Sequence, residues 1–255
     1  MIQLAGYQIG DLLYREQQYS VYRARDITTQ QAVIIKTASS ELPSSTDLTE
    51  LKHDYEIGLQ FNDAHIVCYL DLKPYEHNLA LILEDFDAIS LEEYLANQAL
   101  PLSLFLNIAI QLAESLILIH DKNIIHKDIK PFNILINPNS NKIKITGFGL
   151  ATKLRHETQQ VVSPGQLEGT LPYISPEQTG RMNRAIDYRT DFYSMGITVY
   201  KMLTGNLPFS ANDAMELVHC HIAKSPKPPQ MIGVDVPEPL SELILTLLAK
   251  NSEDR

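Results

Sequence analysis

The first third of the chain alternates short runs of β-branched and aromatic residues with polar turns. This pattern predicts five strands, over residues 7–13, 20–24, 32–37, 66–72 and 79–83. Between the third and the fourth strand, Leu51, Tyr55 and Leu59 recur at four-residue spacing, which predicts a helix over residues 48–61. The pattern therefore indicates a small, β-rich lobe that carries one helix.

In the rest of the chain the apolar positions take on helical spacing. Helices are predicted over residues 90–97, 102–120, 190–204, 213–223 and 238–250. The first has Ser90 as its N-cap, with Glu93 at capping-box spacing. The second is apolar almost all round, which is typical of a helix at the centre of a core. Residues 147–176 lack clear periodicity, and a loop of that length inside a compact domain is usually functional or mobile.

Composition and charge narrow the class of protein. The 255 residues are 44% hydrophobic and 20% charged, which is ordinary for a globular protein. The net charge of −10 argues against nucleic acid or an anionic membrane surface as the main partner. The sequence shows no signal peptide and no run of 18 apolar residues, so no membrane span is expected. Its two cysteines are far apart, which favours a reduced, cytoplasmic setting.

The densest cluster of chemical groups lies in the run IIHKDIKPFNILI. It offers Asp128 as a carboxylate that can accept a hydroxyl proton, Lys130 as a cation for a phosphate, and Asn133 as an amide oxygen for a metal ion. Phosphoryl transfer needs this set, because its catalysis consists mostly of positioning and electrostatic stabilisation. A solvated turn with ordinary capping is the alternative interpretation. The segment KITGFGLA follows seven residues after this run.

With these motifs the chain resembles a eukaryotic-type Ser/Thr protein kinase domain over nearly its whole length. The resemblance implies a bilobal α+β fold, with an N-lobe over residues 1–86, a C-lobe over residues 87–255 and a nucleotide cleft between them. In HKDIKPFN it makes Asp128 the catalytic base, with Lys130 on the transferred phosphate. Thr170 in GTLPYISPE belongs to the substrate-docking segment, and together with Lys130 it implies an aliphatic hydroxyl substrate. The same resemblance implies that Arg255 pairs with Glu177 and that Asp191 supports the catalytic loop.

The resemblance also implies a site for ATP or ADP. Lys36 in AVIIK would pair with the α- and β-phosphates, Leu83 is the gatekeeper, and Mg²⁺ would be held by Asn133. The residues implied to bind the nucleotide are Ile9, Gly10, Val21, Ile34, Lys36, Asp54, Leu83, Glu84, Phe86, Leu135 and Thr146.

Three positions depart from the kinase pattern. Gly147 stands where the motif has the aspartate that binds Mg²⁺, and a glycine cannot ligate a metal through a side chain. The loop after Gly10 lacks the other glycines that let backbone amides approach phosphates. Asp54 stands where a longer glutamate would pair with Lys36, so its helix would have to move inwards. Glu56 has the right chemistry but is expected to face elsewhere.

We therefore expect a kinase-like signalling domain with impaired catalysis, and with nucleotide binding that is weak and poorly dependent on Mg²⁺. The alternatives are an active kinase that uses only the Asn133 metal, and a scaffold that binds no nucleotide. The runs LEGTLPYISPEQTGRMNRAIDYRTDFYSMG and MELVHCHIAKSP also resemble the N-terminal kinase-like domain of large, chiefly cyanobacterial, multidomain sensor kinases. This implies partner domains of the same signalling protein, besides a protein substrate.

Overall fold

Two compact units make up the chain. The computed structural model describes residues 3–15, 18–96, 100–154, 169–182, 184–233 and 235–255. The first unit consists of Met1–Ala88 and Thr146–Gly149, and the second of Ile89–Ile145 and Leu150–Arg255. The first is rich in strands and the second in helices, so the predicted α+β class is confirmed. The sequence did not indicate that four residues of the later chain belong to the first unit.

The first unit is built on a five-stranded antiparallel sheet in the order β1-β2-β3-β5-β4. The strands are β1 (Tyr7–Arg15), β2 (Tyr19–Asp26), β3 (Ala32–Ala38), β4 (Tyr69–Tyr75) and β5 (Asn78–Glu84). The prediction for β4 ended three residues too early, because Pro74 was read as part of the turn. Since β4 is an edge strand, the missing amide of a proline does not interrupt the ladder there.

The two faces of this sheet carry different residues. One face packs into an apolar cluster of Leu4, Ala24, Val33, Ile35, Ala80 and Ile82. On the other face the strand register places Val21 opposite Lys36, and Ile34 opposite Leu83. Because side chains alternate along a strand, these four residues share the face away from the cluster.

Helix α1 (Ser45–Gly58) joins β3 to β4, and it begins three residues earlier than predicted. Its N-cap, Ser44, accepts a hydrogen bond from the Asp47 amide, while the Asp47 side chain accepts one from the Ser44 amide. This capping box was missed because the apolar spacing starts only at Leu51, within the helix.

The second unit contains five helices within its described residues. They are α2 (Leu91–Ala96), α3 (Leu102–Asp121), α4 (Arg189–Thr204), α5 (Ala214–Ala223) and α6 (Glu238–Leu247). Five short strands complete it: β6 (Ile89–Ser90), β7 (Ile124–Ile125), β8 (Ile134–Ile136), β9 (Ile143–Ile145) and β10 (Thr152–Lys153). The Ser90 hydroxyl accepts from the Glu93 amide at 3.1 Å, as its capping spacing predicted. Asn97, the predicted end of α2, lies outside the described residues.

Helix α3 is not buried on all sides, contrary to the prediction. It packs against α4, β7 and β9, and Phe105, Ile108 and Leu112 are buried. Ile110 and Ile117, however, are 57% and 59% exposed. An apolar sequence alone does not say which of its faces a neighbour covers. By length and composition this helix could cross a membrane, and it is the one such helix found in the described part of the chain.

The loop predicted over residues 147–176 contains short elements where it is described. Thr152–Lys153 pairs with β7, and Leu171–Tyr173 forms a turn of 3₁₀ helix. Residues 155–168 of this prediction lie outside the described residues.

A buried histidine in α5 makes the stability of the second unit sensitive to pH. His221 is fully buried, and its Nδ1 lies 3.0 Å from the Tyr193 hydroxyl. Burial, and secondarily the nearby Lys250, lower the pKa of His221 to about 4 from 6.5. A histidine with a depressed pKa must take up a proton on unfolding below pH 6.5, so its contribution is complete above that pH and is lost as the pH falls towards 4.

We therefore expect the free energy of unfolding to fall by roughly 2 kcal/mol between pH 7 and pH 5 on account of His221. Urea unfolding at both pH values, in wild type and in His221→Gln, measures this contribution. The variant should lose that part of the pH dependence. An unchanged pH dependence in His221→Gln would show that other groups account for it.

Candidate functional site

Lys36 forms a buried ion pair in the first unit. Its Nζ lies 2.7 Å from Oδ2 of Asp54, whose side chain is 1% exposed. Asp54 therefore reaches Lys36 despite its shorter side chain, which the sequence allowed only if its helix lies further in. Helix α1 packs closely against β4. A Cβ added at Gly58 would fall 2.4 Å from the ring of Tyr69, so only a glycine fits there. This close approach makes up for the shorter side chain, whereas Glu56 is exposed, as predicted.

The Lys36 ammonium also faces an aromatic ring, a contact that nothing in the sequence indicates. It lies 4.6 Å from the ring centroid of Tyr19, within the range of a cation–π interaction. The Tyr19 hydroxyl donates to Oε2 of Glu50 in α1 at 2.7 Å.

Not all of the predicted nucleotide-binding residues of the first unit come together. Val21, Ile34, Lys36 and Leu83 share one face of the sheet. Ile9 packs instead against the apolar cluster on the other face, because it pairs with Ala24 of that cluster.

Gly10 lies on β1 against the neighbouring strand. A Cβ at this position would be 3.0 Å from the carbonyl oxygen of Arg23, so the position is tight for any larger residue. This close approach explains a glycine there without reference to a ligand. Its predicted role in binding phosphate stays a prediction.

The end of β5 is tied to the segment before β4. The amide of Glu84 donates to the carbonyl of Cys68 at 3.0 Å, and the Glu84 carboxylate accepts from the Cys68 amide at 2.7 Å. Leu83, directly before Glu84, is buried, and Phe86, two residues after Glu84, is half-buried. The predicted contacts of Leu83, Glu84 and Phe86 with adenine stay predictions.

The GFG segment packs into the first unit. The Phe148 ring is fully buried and stacks on Phe61, with ring centroids 5.2 Å apart. Its amide donates to Oδ1 of Asp54 at 2.7 Å. The Thr146 hydroxyl lies 3.2 Å from the hydroxyl of Tyr69, which the sequence did not single out. Asp54 therefore holds both Lys36 and the backbone of this segment.

In the second unit, Asp128 is the centre of a hydrogen-bonded cluster that we call the Asp128 cluster: Asp128, Lys130, Asn133 and Thr170. Oδ1 of Asp128 accepts from the Thr170 hydroxyl at 2.8 Å. Oδ2 lies 2.7 Å from the ammonium of Lys130 and accepts from the Asn133 amide nitrogen at 2.9 Å. Lys130 also donates to the Thr170 hydroxyl at 2.5 Å. The four predicted catalytic residues are thus in direct contact, although Thr170 is far away in sequence.

A buried aspartate of α4 holds the backbone before this cluster. Asp191 accepts from the amides of His126 and Lys127 at 2.9 and 2.8 Å, and His120 lies 2.9 Å from it. Lys127 takes a φ of +67°, a conformation that is rare outside glycine. The hydrogen bonds from the two backbone amides to Asp191 hold it in that conformation. The expected support of the catalytic loop by Asp191 is therefore observed, whereas His120 was missed.

Two further predicted features lie in the second unit. Arg255 makes a two-pronged ion pair with Glu177, at 2.5 and 2.8 Å, as expected from the resemblance. Leu135 lies in β8 between Ser90 of β6 and Lys144 of β9. Its predicted contact with the nucleotide stays a prediction.

The donors present do not make a complete magnesium site of the kinase type. Asn133 offers an amide oxygen, but Gly147 offers no side chain. Among the described residues, no group of three or more His, Cys, Asp or Glu side chains could hold a metal ion. Mg²⁺ prefers carboxylate ligands together with the phosphates of its substrate. A single amide oxygen does not meet that preference.

Comparison with known proteins shows the family to which this chain belongs. The model of the protein kinase domain family matches residues 17–255. The chain is 29% identical over 237 residues to the probable serine/threonine-protein kinase of Clostridium perfringens, covering 92% of this chain and 34% of that protein. It is 28% identical over 255 residues to the serine/threonine-protein kinase PknB of Mycobacterium leprae, covering 98% of this chain and 40% of that protein.

The chain belongs to the protein kinase domain family. It spans about a third to two fifths of the length of these curated relatives. Proteins of this family use ATP and Mg²⁺ to phosphorylate proteins.

Proposed function

We propose that the chain is a Ser/Thr protein kinase-like signalling domain that binds ATP and transfers its phosphate slowly or not at all. One observation carries this proposal: the Asp128 cluster is fully assembled, whereas Gly147 offers no ligand for the metal. Metal ions at phosphoryl groups contribute several kcal/mol to the transition state. Their loss would slow the reaction on the order of a thousandfold.

The Asp128 cluster supports an aliphatic hydroxyl as the acceptor. Its carboxylate already accepts from the hydroxyl of Thr170, a side chain of the same chemistry as a substrate serine or threonine. Lys130 lies within hydrogen-bond distance of both Asp128 and Thr170, so its charge is available at the point where an acceptor would sit. This arrangement would position a hydroxyl and take its proton without any contribution from Gly147.

Retained nucleotide binding is supported by the first unit. Lys36 is held by a buried carboxylate, and the predicted apolar residues Val21, Ile34 and Leu83 share its sheet face. Such a lysine would pair with phosphate oxygens. These features favour a nucleotide-binding domain over the alternative of a scaffold that binds none.

The remaining parts of the proposal come from the resemblance described above. The domain would work in the cytoplasm as one module of a larger signalling protein. Its partners would be a protein substrate or other domains of the same protein. An active kinase that uses the Asn133 metal alone is the second candidate, and the assembled Asp128 cluster favours it.

Nucleotide binding is tested by ligand-induced stabilisation. We expect ATP or ADP to raise the melting temperature of the wild type modestly, because a ligand that binds only the folded state stabilises it by mass action. Lys36→Met should remove most of that increase. Lys36→Met should also melt at a lower temperature without ligand, because Asp54 loses its counter-ion, so the ligand-induced increase is measured from the variant's own ligand-free value. Asp54 keeps its hydrogen bonds from Tyr69 and Phe148 in the folded variant.

Lys52→Met, at an exposed lysine of α1, is the matched control and should respond as the wild type does. No increase with any nucleotide in the wild type would favour the scaffold. An equal increase in Lys36→Met would show that the nucleotide is held in another way.

A further inference from the structure

The hydroxyl of Tyr69 contacts three groups around the GFG segment. It donates to Oδ1 of Asp54 at 2.6 Å and lies 3.2 Å from the hydroxyl of Thr146. It also accepts a hydrogen bond from the amide of Gly147 at 3.2 Å. Burial raises the pKa of Tyr69, and the negative charge of Asp54 raises it further, so the hydroxyl keeps its proton for Asp54.

Asp54 extends this contact to the next residue of the segment. Its Oδ1 accepts both from Tyr69 and from the amide of Phe148, while its Oδ2 accepts from Lys36. The ring of Phe148 lies 6.2 Å from the ring of Tyr69, centroid to centroid. Two consecutive amides of the segment are thus bonded to one hydroxyl–carboxylate pair. This agrees with the assignment of Thr146–Gly149 to the first unit.

A fixed segment at this point needs an explanation, because glycine at position 147 is conformationally permissive. Gly147 takes a φ of +86°, and it has no side chain whose contacts could maintain that conformation. The backbone entropy lost on ordering a glycine is larger than that of any other residue. The hydrogen bond to Tyr69 acts directly on the amide of this residue.

We propose that Tyr69 is a positioning residue, whose hydroxyl, together with Asp54, holds the backbone of Gly147 and Phe148 in place of a side chain at position 147. The GFG segment then stays ordered without nucleotide and without metal. The consequence for ATP binding rests on the proposed function, whereas the positioning itself does not.

Hydrogen–deuterium exchange of the ligand-free protein tests the proposal. In Tyr69→Phe the amides of Gly147 and Phe148 should exchange at least about tenfold faster than in wild type, because one loses its acceptor and the other a supporting bond to its acceptor. The amides of β5 should keep their wild-type rates. A general loss of stability would speed exchange across the whole first unit instead.

Tyr75→Phe is the matched control on the same strand. The Tyr75 hydroxyl lies 2.6 Å from the hydroxyl of Thr37, and Tyr75 packs against the apolar cluster, so removal of this hydroxyl should leave the GFG amides unchanged. Unchanged exchange of Gly147 and Phe148 in Tyr69→Phe, or equal acceleration in Tyr75→Phe, would overturn the proposal. If the exchange result is as expected but ATP does not bind the wild type, the proposed function fails and the positioning role stands.

Discussion

The Gly147→Asp variant is expected to phosphorylate a generic Ser/Thr substrate about a hundredfold faster than the wild type, or more. The Asp128 cluster is already assembled, so the variant adds the one carboxylate that the kinase motif has and this chain lacks. When bound, Mg²⁺ neutralises phosphate charge in the transition state, and an electrostatic contribution of that kind is worth about a hundredfold to a thousandfold. The gain should require Mg²⁺ or Mn²⁺.

An aspartate at position 147 is strained by the backbone conformation there. Its φ of +86° lies in the left-handed region, which aspartate enters more easily than most residues other than glycine. The cost is about 1–2 kcal/mol of stability. The variant keeps the amide that bonds to Tyr69, so the segment should remain ordered.

Radiolabelled ATP turnover, measured on the wild type and three variants, decides this prediction. Gly147→Ala carries at least as much backbone strain without a ligand and should gain nothing. Adding Asp128→Asn to Gly147→Asp should abolish the gain, because the base acts in the same step and such effects are not additive. If Gly147→Asp stays silent while it binds Mg·ATP, the defect lies elsewhere, as in the loop after Gly10. If the wild type is already as fast, the chain is an active kinase.

Asp54→Ala is expected to lower the free energy of unfolding by about 3–5 kcal/mol. The change leaves the Lys36 ammonium, which is 17% exposed, without its counter-ion, and removing one partner of a buried pair has an effect of this size. It also removes the acceptor of the Tyr69 hydroxyl and of the Phe148 amide. Urea unfolding of the two proteins at pH 7 measures the difference.

Two control variants separate the buried pair from charge in general. Asp71→Ala breaks a pair with Lys73 that is 3.6 Å long and partly exposed, and should cost less than about 1 kcal/mol. Asp54→Glu adds a methylene where α1 and β4 are in close contact, and should cost about 1–3 kcal/mol. A glutamate variant as stable as the wild type would show that the site is not fitted to aspartate. A small effect of Asp54→Ala would show that the pair contributes little.

Much of the fold could be predicted from the sequence, because strand alternation and helical spacing reflect which side chains are buried. The pattern could not show how close two elements of the fold lie to each other. The sequence shows that Asp54 is shorter than the glutamate of the kinase motif, but it does not show that α1 lies close enough for Asp54 to reach Lys36. In the same way, the apolar sequence of α3 could not show that Ile110 and Ile117 are exposed.

For the candidate site, too, the sequence predicted some residues and not others. Asp128, Lys130 and Asn133 could be predicted because they lie within one short motif, and Thr170 because it belongs to a second one. Ile9 was placed with the nucleotide-binding residues, although the register of β1 turns it to the other face. Tyr69 could not be found at all, since a tyrosine in a strand is ordinary and its partners are far away in sequence.

We expect this domain to bind ATP without depending on a metal, because Gly147 offers no side-chain ligand. Isothermal titration of ATP into the wild type, once with excess Mg²⁺ and once with EDTA, tests it most directly. The two dissociation constants should be nearly equal. An affinity several-fold higher with Mg²⁺ would contradict it, because it would show that a metal site survives without a side chain at position 147.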